Sequence, residues 1–254
     1  MNKNKMLQRW ITICFIVLSW ELIHGLKLFP EQLFPSAVQI FKALFDDLTT
    51  GKLLLQTGHS LMLIFWGLLL GFLIAILLSF FGYFSSGISY ILDTLIAIFD
   101  PLPGVAILPL VILWIGIGES AVLCIMLHSI IWPMLISIRT GIQSIDRIYI
   151  EIAKNNGIKT PQLFAYVLLP MSLPNIMSGL RIGWSRSWRA LISSEMIFGA
   201  IGSLGGIGWY LFEKRTFMNT PGMYAGLIVI ITISIFFEKF VFQKLELKIK
   251  KTME

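Results

Sequence analysis

The stretch EIAKNNGIKTPQLFAYVLLP, residues 151–170, is a polar stretch that lies between long apolar segments. Its charged and amide side chains are Glu151, Lys154, Asn155, Asn156, Lys159 and Gln162. No continuous membrane span tolerates that density of polar groups without cost. The stretch is therefore predicted to lie outside a bilayer, between two spans.

Two short helices are predicted here, with a break between them. Asp146 is placed to cap a first helix that runs to Asn156, and Gly157 can adopt the left-handed conformation that ends it. Thr160 is placed to cap a second helix, with Pro161 in its first turn, where the missing N–H costs nothing. An amphipathic helix pair of this kind is typical of a docking surface.

The second helix carries one apolar stripe at helical spacing and is expected to end at Pro170. The stripe consists of Leu163, Phe164, Val167 and Leu168. Two interpretations stay open. The stripe either contacts a partner protein, or Phe164 and Leu168 pack the loop against the spans of the same chain.

These residues resemble the EAA loop of bacterial ABC importer permeases. The family pattern is E-A-A, three residues, Gly, nine residues, then I-x-L-P. The matching positions here are Glu151, Ile152, Ala153, Gly157, Val167, Leu169 and Pro170. Only Ile152 and Val167 depart from the pattern, and both changes are mild. A fixed spacing of this length inside a membrane protein is a specific signal.

Composition places most of the chain in lipid. Of its 254 residues, 56% are hydrophobic and 13% are charged, whereas a soluble domain has about 25% charged residues. The net charge of +6 comes from clustered basic residues, so it does not indicate nucleic-acid binding. Cys14 and Cys124 lie in apolar runs and are expected to be small packed hydrophobes, not members of a disulfide or a metal site.

The hydropathy pattern predicts an all-α membrane protein with six spans. Their expected ranges are 10–28, 57–81, 88–114, 120–142, 174–198 and 223–242. The first is interpreted as a retained span and not a signal peptide, because it lacks a small-x-small cleavage site and contains Glu21 and His24. An amphipathic surface helix is expected to begin at Ser36, and residues 82–87 are expected to form a turn.

Two features are expected inside the spans. Gly67 and Gly71 form a small-xxx-small pair that lets helices approach closely. The third span is broken by DPLPG at residues 100–104, because neither proline supplies a helical hydrogen bond. Carbonyls freed at that depth are tolerated only against protein or a water-filled cavity.

Loop charges predict the orientation. The N-terminus, the polar loop and the tail together carry twelve Lys and Arg residues, whereas the other charged loops carry five. This distribution favours both termini and the polar loop in the cytoplasm. The chain is accordingly expected to be a multi-pass protein of the bacterial inner (cytoplasmic) membrane.

A wider resemblance narrows the family. Three stretches look like nitrate/sulfonate/taurine-type permeases: PLPGVAILPLVILWIGIGES (101–120), LLPMSLPNIMSGLRIGWSRSWRALISSEM (168–196) and GSLGGIG (202–208). The resemblance implies a type I ABC importer membrane domain over residues 55–245, with its coupling loop at 145–172. Residues 1–54 would form an N-terminal span and an external loop, and residues 246–254 a cytoplasmic tail.

The resemblance also implies partners. The chain would pair with a second permease subunit, most simply a copy of itself, and work with two cytoplasmic ATPase subunits and an external binding protein. It contains no G-x-x-x-x-G-K-[ST] phosphate loop, so it is not expected to hydrolyse ATP or to bind a cofactor; ATP and Mg²⁺ would be held by the ATPase. The residues expected to couple this chain to the ATPase subunit are Glu151, Ala153, Gly157, Leu163, Phe164 and Pro170.

The fifth predicted span carries charges that point to a solute path. Arg186 and Arg189 share a face with Ser193, whereas Glu195 lies about 180° and 240° from the two arginines at 100° per residue. One interpretation places Arg186, Arg189, Ser193, Glu195 and Asp100 on a path for an anion such as a sulfonate. In the other, Arg186 snorkels to the cytoplasmic side and Arg189 bonds Asp93 or Asp100.

Two other functions compete. An ion-gradient-driven secondary transporter would use Asp93, Asp100, His128 and Glu195 as a relay. Six spans without an obvious inverted repeat, and a docking loop that a lone carrier does not need, weigh against it. A membrane scaffold without transport does not explain charges placed inside spans.

Overall fold

A computed structural model describes residues 3–199 and 205–253, and every regular element in these two ranges is helical. The helices are α1 (Lys3–Gly25), α2 (Ala37–Thr49), α3 (Lys52–Phe84), α4 (Ser86–Phe99), α5 (Leu108–Ile115), α6 (Glu119–Gln143), α7 (Arg147–Asn155), α8 (Thr160–Leu163), α9 (Leu169–Met171), α10 (Leu173–Phe198), α11 (Ile207–Thr216), α12 (Thr220–Phe236) and α13 (Gln243–Met253). A 3₁₀ turn (Gly104–Ile107) precedes α5, and π-helical segments (Phe164–Leu168 and Phe237–Phe242) precede α9 and α13. The expected all-α class is confirmed.

Three described helices are long and apolar enough to cross a membrane: α3, α6 and the run Thr220–Ile249. Two bent pairs pass the same test together, α4 with Gly104–Ile115 at 90° and Thr160–Met171 with α10 at 70°. The described chain thus offers three to five spans. The apolar part of α1, Ile11–Gly25, is short for a bilayer, so the count of six stays a prediction.

The centre of the bundle is α6, which packs between α3 and α10. A Cβ atom on Gly67 would lie 2.7 Å from Met126 Cε, and one on Gly71 would lie 2.6 Å from Ile130 Cγ2. Side chains at these positions would push α3 away from α6. The small-xxx-small pair therefore serves close helix packing, as predicted.

Both ends of α3 differ from the prediction. The helix begins at Lys52, five residues before the expected start, and continues to Phe84. The expected turn over residues 82–87 shrinks to Ser85, whose hydroxyl accepts a hydrogen bond from Ile88 N–H (3.4 Å) and caps α4. Gly82 lies in the last turn of α3, where its missing side chain lets α4 pack closely; a Cβ there would lie 2.9 Å from Leu92 Cδ1.

The amphipathic helix expected from Ser36 is α2. Ser36 Oγ accepts from Gln39 N–H (3.2 Å) and the Gln39 side chain accepts from Ser36 N–H (2.9 Å), which makes a capping box. At its other end, Asp47 bonds Lys214 Nζ (2.8 Å) and accepts from the Tyr210 hydroxyl (2.6 Å). Burial, with the adjacent Asp47 carboxylate, raises the pKa of Tyr210, so this hydroxyl remains a donor. These bonds fix α2 against α11.

Candidate functional site

The first helix of the polar loop forms as predicted. The Asp146 carboxylate accepts a hydrogen bond from the N–H of the second residue of α7 (3.1 Å). Gly157 has φ +77° beyond the end of the helix. Its N–H donates to Lys154 O (2.9 Å) and Ile158 N–H donates to Ala153 O (3.1 Å), the pair of bonds that defines a Schellman motif. The predicted capping and the predicted left-handed glycine are confirmed.

Two predictions about the second helix are wrong. Thr160 does not cap it, because its backbone is already helical; Lys159 holds the cap position and its N–H donates to Gln162 Oε1 (3.3 Å). Pro170 does not end the run, which continues to Met171 and bends at Ser172. Proline is tolerated there because it lies in the first turn of α9, where its missing N–H costs little.

The apolar stripe of the second helix faces the chain itself. Leu163, Phe164 and Leu168 are buried, together with Ala153 of α7. The Phe164 ring meets Phe80 of α3 edge-on, with 5.2 Å between centroids. This burial favours the interpretation that the stripe seats the loop on the spans. It leaves Ala153, Leu163 and Phe164 without the exposed surface that a direct partner contact needs.

The outward face of the loop lies on α7 instead. Ile148, Tyr149 and Ile152 are 55%, 51% and 52% exposed. Glu151 is also exposed and pairs with Arg147 at 3.0 Å, an i,i+4 surface pair of small energetic weight. This face was not predicted from the sequence. Its signal was available, since Ile148 and Ile152 are apolar residues four apart on a helix whose other side is also apolar.

At the break in the third predicted span, a freed backbone carbonyl is hydrogen-bonded by a side chain of the same protein. Leu102 O accepts a hydrogen bond from His128 Nε2 (3.1 Å), and Trp132 Nε1 donates to His128 Nδ1 (3.1 Å). The two contacts together match a neutral imidazole that carries its proton on Nε2. His128 is therefore a structural donor for the break between α4 and α5.

A cavity of about 560 Å³ opens beside this break, between α6 and α10. Its lining includes Asp100, Leu102, His128, Arg186, Arg189 and Ser193. Four of the five residues predicted for a solute path thus line one cavity. The sequence placed Asp100 with the arginines but did not show which of them it would pair with; the fold brings all three residues into one cavity.

The two arginines of the predicted path have different partners. Arg186 Nη1 bonds Asp100 Oδ1 at 2.6 Å, whereas Arg189 Nε donates only to Ser185 O of its own helix (3.0 Å). Among the described residues, no carboxylate forms a salt bridge with Arg189. The alternative that paired Arg189 and let Arg186 snorkel is therefore wrong, and Asp93 pairs instead with Arg139 (2.7 Å).

Glu195, the fifth predicted path residue, does not line this cavity. It is fully buried on the opposite side of α10, against α3 and α11. Its carboxylate accepts from Ser60 Oγ (2.8 Å) and Gly208 N–H (2.8 Å), and Ser60 Oγ accepts from Ile207 N–H (2.9 Å). The half-turn between Glu195 and Arg186 on the helix explains this placement.

One further arginine was missed. Arg181 of α10 bonds Glu238 and also Glu246 (3.3 Å), which joins α10 to the C-terminal end of the last helical run. Arg181 precedes Ser185 and Arg189 at four-residue spacing, so the stripe could have been extended from the sequence. Arg181, Arg186 and Arg189 line a second cavity of about 410 Å³ with both glutamates.

The relay required by a secondary transporter is not assembled. Asp93 and Asp100 are each held by a different arginine, and His128 binds a backbone carbonyl. Glu195 is enclosed by α3 and α11. In the part of the chain that the structure describes, the four residues do not form one continuous hydrogen-bonded chain.

Known proteins agree with this architecture. The chain is 30% identical over 234 residues to a protein of Haemophilus influenzae named as an ABC transporter permease, covering 92% of this chain and 93% of that one. It is 31% identical to the Escherichia coli protein SsuC, named for transport of aliphatic sulfonates (87% and 82% covered). It is 28% identical to the E. coli taurine transport system permease protein TauC (89% and 83% covered).

The fold is similar to a solved ABC transporter. Inward-facing structures of the MetNI methionine ABC transporter match with TM-scores of 0.63 and 0.66, at 16% and 17% sequence identity. The first covers 78% of this chain and 96% of the solved one. The family described as binding-protein-dependent transport system inner membrane component matches residues 67–250. This chain therefore belongs to that family, and is the membrane-spanning permease subunit of an ABC importer.

Proposed function

We propose that this permease admits a small anionic solute of the sulfonate type along a path lined by Arg189. The main support is the position of Arg189. Its guanidinium lines a cavity beside the broken span and has no carboxylate partner among the described residues. A charge inside a membrane needs water, a counter-charge or a passing ion. The names of SsuC and TauC, which refer to aliphatic sulfonates and taurine, support an organic sulfonate as the solute.

The family assigns ATP hydrolysis to a separate subunit and solute delivery to a binding protein. Reconstituted with both, the permease is expected to take up labelled methanesulfonate only when ATP is present. Uptake driven by a proton or sodium gradient without ATP would overturn the proposal. The chain itself binds no cofactor in this scheme; ATP and Mg²⁺ act on the partner ATPase.

A homodimer supplies the second wall of the path. In the single chain, α10 exposes Ser178, Ser185 and Arg189 along one stripe, with Ser193 partly exposed. Such a stripe is costly against lipid. A second copy of the same surface, related by twofold symmetry, encloses these groups around a shared aqueous route. Many large hydrophobic side chains of the described helices are exposed, as lipid contact requires.

Coupling to the ATPase uses both faces of the polar loop. Residues Leu163 and Phe164 seat the loop on α3, while Ile148, Tyr149 and Ile152 point outward for a groove on the ATPase. Rigid seating lets movement of the ATPase pass to the spans. In this scheme Glu151 flanks the contact face, Ala153 and Pro170 maintain the loop fold, and Gly157 sets the angle of α7.

The coupling scheme is tested at Ile152. Replacing it with Glu puts a charge into an apolar contact, so co-purification of the ATPase subunit should fall at least about tenfold. Ile152→Leu keeps the surface apolar and should retain the partner. If Ile152→Glu binds the ATPase as well as the wild type does, the outward face is not the contact.

Gly157 provides an independent test. Its φ of +77° strains any β-branched side chain, although open space surrounds it. Gly157→Val is expected to leave the protein folded and to uncouple ATP hydrolysis from uptake, whereas Gly157→Asn, which tolerates this conformation, should preserve most coupling. Equal uptake by the two variants would contradict a role for the angle of α7.

The proposed topology has six spans, both termini in the cytoplasm and residues 55–245 as the membrane domain. It is tested with single cysteines in a background lacking Cys14 and Cys124. An impermeant reagent applied to sealed cells should label Phe217→Cys, on the α11–α12 connection, and spare Lys159→Cys and Lys250→Cys. Ser203, another residue of the predicted external segment, lies outside the described residues. Labelling at Lys159 from outside would reverse the arrangement.

A further inference from the structure

Three arginines lie within nine residues of α10, and they are compensated unequally. Arg181 bonds two glutamates, Glu238 and Glu246, and Arg186 bonds Asp100 at 2.6 Å. Arg189 bonds only a backbone carbonyl of its own helix among the described residues. Three carboxylates from other parts of the chain thus pair with two of the three arginines, and none of them is at salt-bridge distance from Arg189.

The position of Asp100 matters because it lines the same cavity as Arg186 and Arg189. Its carboxylate is 23% exposed and the Arg186 side chain 37% exposed, so the pair is in contact with the cavity and is not sealed in the core. An opposite charge at hydrogen-bond distance cancels most of the field of Arg186 in that space. Arg189 is then the arginine of this cavity that forms no salt bridge with a described carboxylate.

The other polar groups that line the cavity add no charge to that of Asp100, Arg186 and Arg189. His128 is held as a neutral ring between Trp132 and the Leu102 carbonyl, and Ser129 donates to a backbone carbonyl of its own helix. Ser193 offers a neutral hydroxyl. The charge that an entering solute meets is therefore set by how many arginines the single cavity carboxylate leaves free.

We propose that Asp100 is a specificity-determining residue that sets the anionic charge this permease accepts. By binding Arg186 it leaves Arg189 as the free guanidinium of this cavity in each protomer, which keeps the positive charge along the path low and favours a solute with a single anionic group such as an alkanesulfonate. Removing the Asp100 charge frees a second guanidinium in the same cavity and shifts the preference toward a solute with two anionic groups. The inference rests on the proposed function.

The test uses the assembled permease–ATPase complex in lipid nanodiscs without the binding protein, whose own selectivity would hide the effect. Methanesulfonate and methanedisulfonate serve as probes, and calorimetry gives the ratio of their affinities. Asp100→Asn keeps an oxygen acceptor for Arg186 while removing the charge. It should raise the disulfonate-to-monosulfonate affinity ratio roughly ten- to hundredfold, the effect of one added hydrogen bond to a charged group.

Two controls separate charge in the cavity from charge elsewhere and from misfolding. Asp93→Asn leaves Arg139 uncompensated outside the cavity lining and should not move the ratio. The double change Asp100→Asn with Arg186→Gln again leaves Arg189 as the free cation, and should return the ratio to the wild-type value. That recovery also shows that position 100 tolerates asparagine.

The outcomes that overturn the inference are distinct from failure of the proposed function. An unchanged ratio in Asp100→Asn, an equal rise in Asp93→Asn, or no return in the double variant would each reject a specificity role for Asp100. A wild-type complex that drives ATP-dependent uptake but binds neither probe also rejects it, while leaving the importer function intact. Absence of ATP-dependent uptake would reject the proposed function itself.

Discussion

The C-terminal half of α10 holds two ionisable side chains in opposite kinds of surroundings. Near its C-terminal end, Glu195 is fully buried and accepts hydrogen bonds from Ser60 and Gly208. Nearer its middle, Arg189 lies exposed on a cavity wall and, among the described residues, bonds only its own helix. Both are charged residues of one predicted span, six positions apart. Glu195 links α10 to α3 and α11 through hydrogen bonds, whereas Arg189 is accessible from the cavity.

This difference shows that a charge within a span does not by itself mark a solute path. The surroundings decide: Glu195 is enclosed by donors that the chain itself supplies, whereas Arg189 has room in front of it. Glycines make the first arrangement possible. A Cβ on Gly206 would lie 1.8 Å from Glu195 Oε1, and one on Gly208 would lie 2.4 Å from Ile192 O. Both glycines belong to the GSLGGIG stretch, and both allow α11 to pack closely on α10.

The largest expected effect comes from filling the space around Glu195. Gly206→Ala forces either the carboxylate or α11 to move, which should destabilise the fold by about 3 kcal/mol or more and lower the yield of folded protein. Gly58→Ala is the matched control, since no atom lies within 4 Å of its Cβ position. Size-exclusion profiles and melting temperatures measure both. A normally folded Gly206→Ala protein would contradict the close packing.

The next effect is removal of the carboxylate. Glu195→Ala strands the Gly208 N–H and the Ser60 hydroxyl, at about 1–3 kcal/mol for each buried group left unsatisfied. Glu195→Gln keeps one carbonyl acceptor and should lose less stability. Melting temperature of the purified permease separates the two. If Glu195→Ala folded normally but lost uptake, Glu195 would belong with Arg189 on the path, and the contrast along α10 would fail.

The smallest effect on stability, but a clear one on transport, is expected at Arg189. Arg189→Gln breaks no ion pair of the described chain, so stability should change by less than about 0.5 kcal/mol. Sulfonate uptake should fall roughly ten- to hundredfold, since a charged contact with the solute is lost. Arg215→Gln, at the exposed end of α11, is the control and should keep full uptake. Reduced assembly with normal uptake per assembled complex would make Arg189 structural.

The sequence by itself determined the features that depend on neighbouring residues. Asp146 and Gly157 fix the limits of α7, and DPLPG breaks its span, because capping, left-handed backbone and proline geometry act within a few residues. Helical periodicity also placed Glu195 on the opposite side from Arg186. Local rules failed at Thr160 and Pro170, where a helix start and a π-helical segment shifted the boundaries by one or two residues.

Only the tertiary structure decided which side of each amphipathic element faces its own chain. Leu163 and Phe164 pack on α3, so the surface left for a partner is the Ile148 and Ile152 side of α7. Likewise, only the folded chain assigns Asp100 to Arg186 and leaves Arg189 without a carboxylate among the described residues. Such pairings join residues more than eighty positions apart, and the 90° bend of the broken span sets the distance between them. Periodicity orients a side chain on its own helix, but the packing of the other helices determines what it meets.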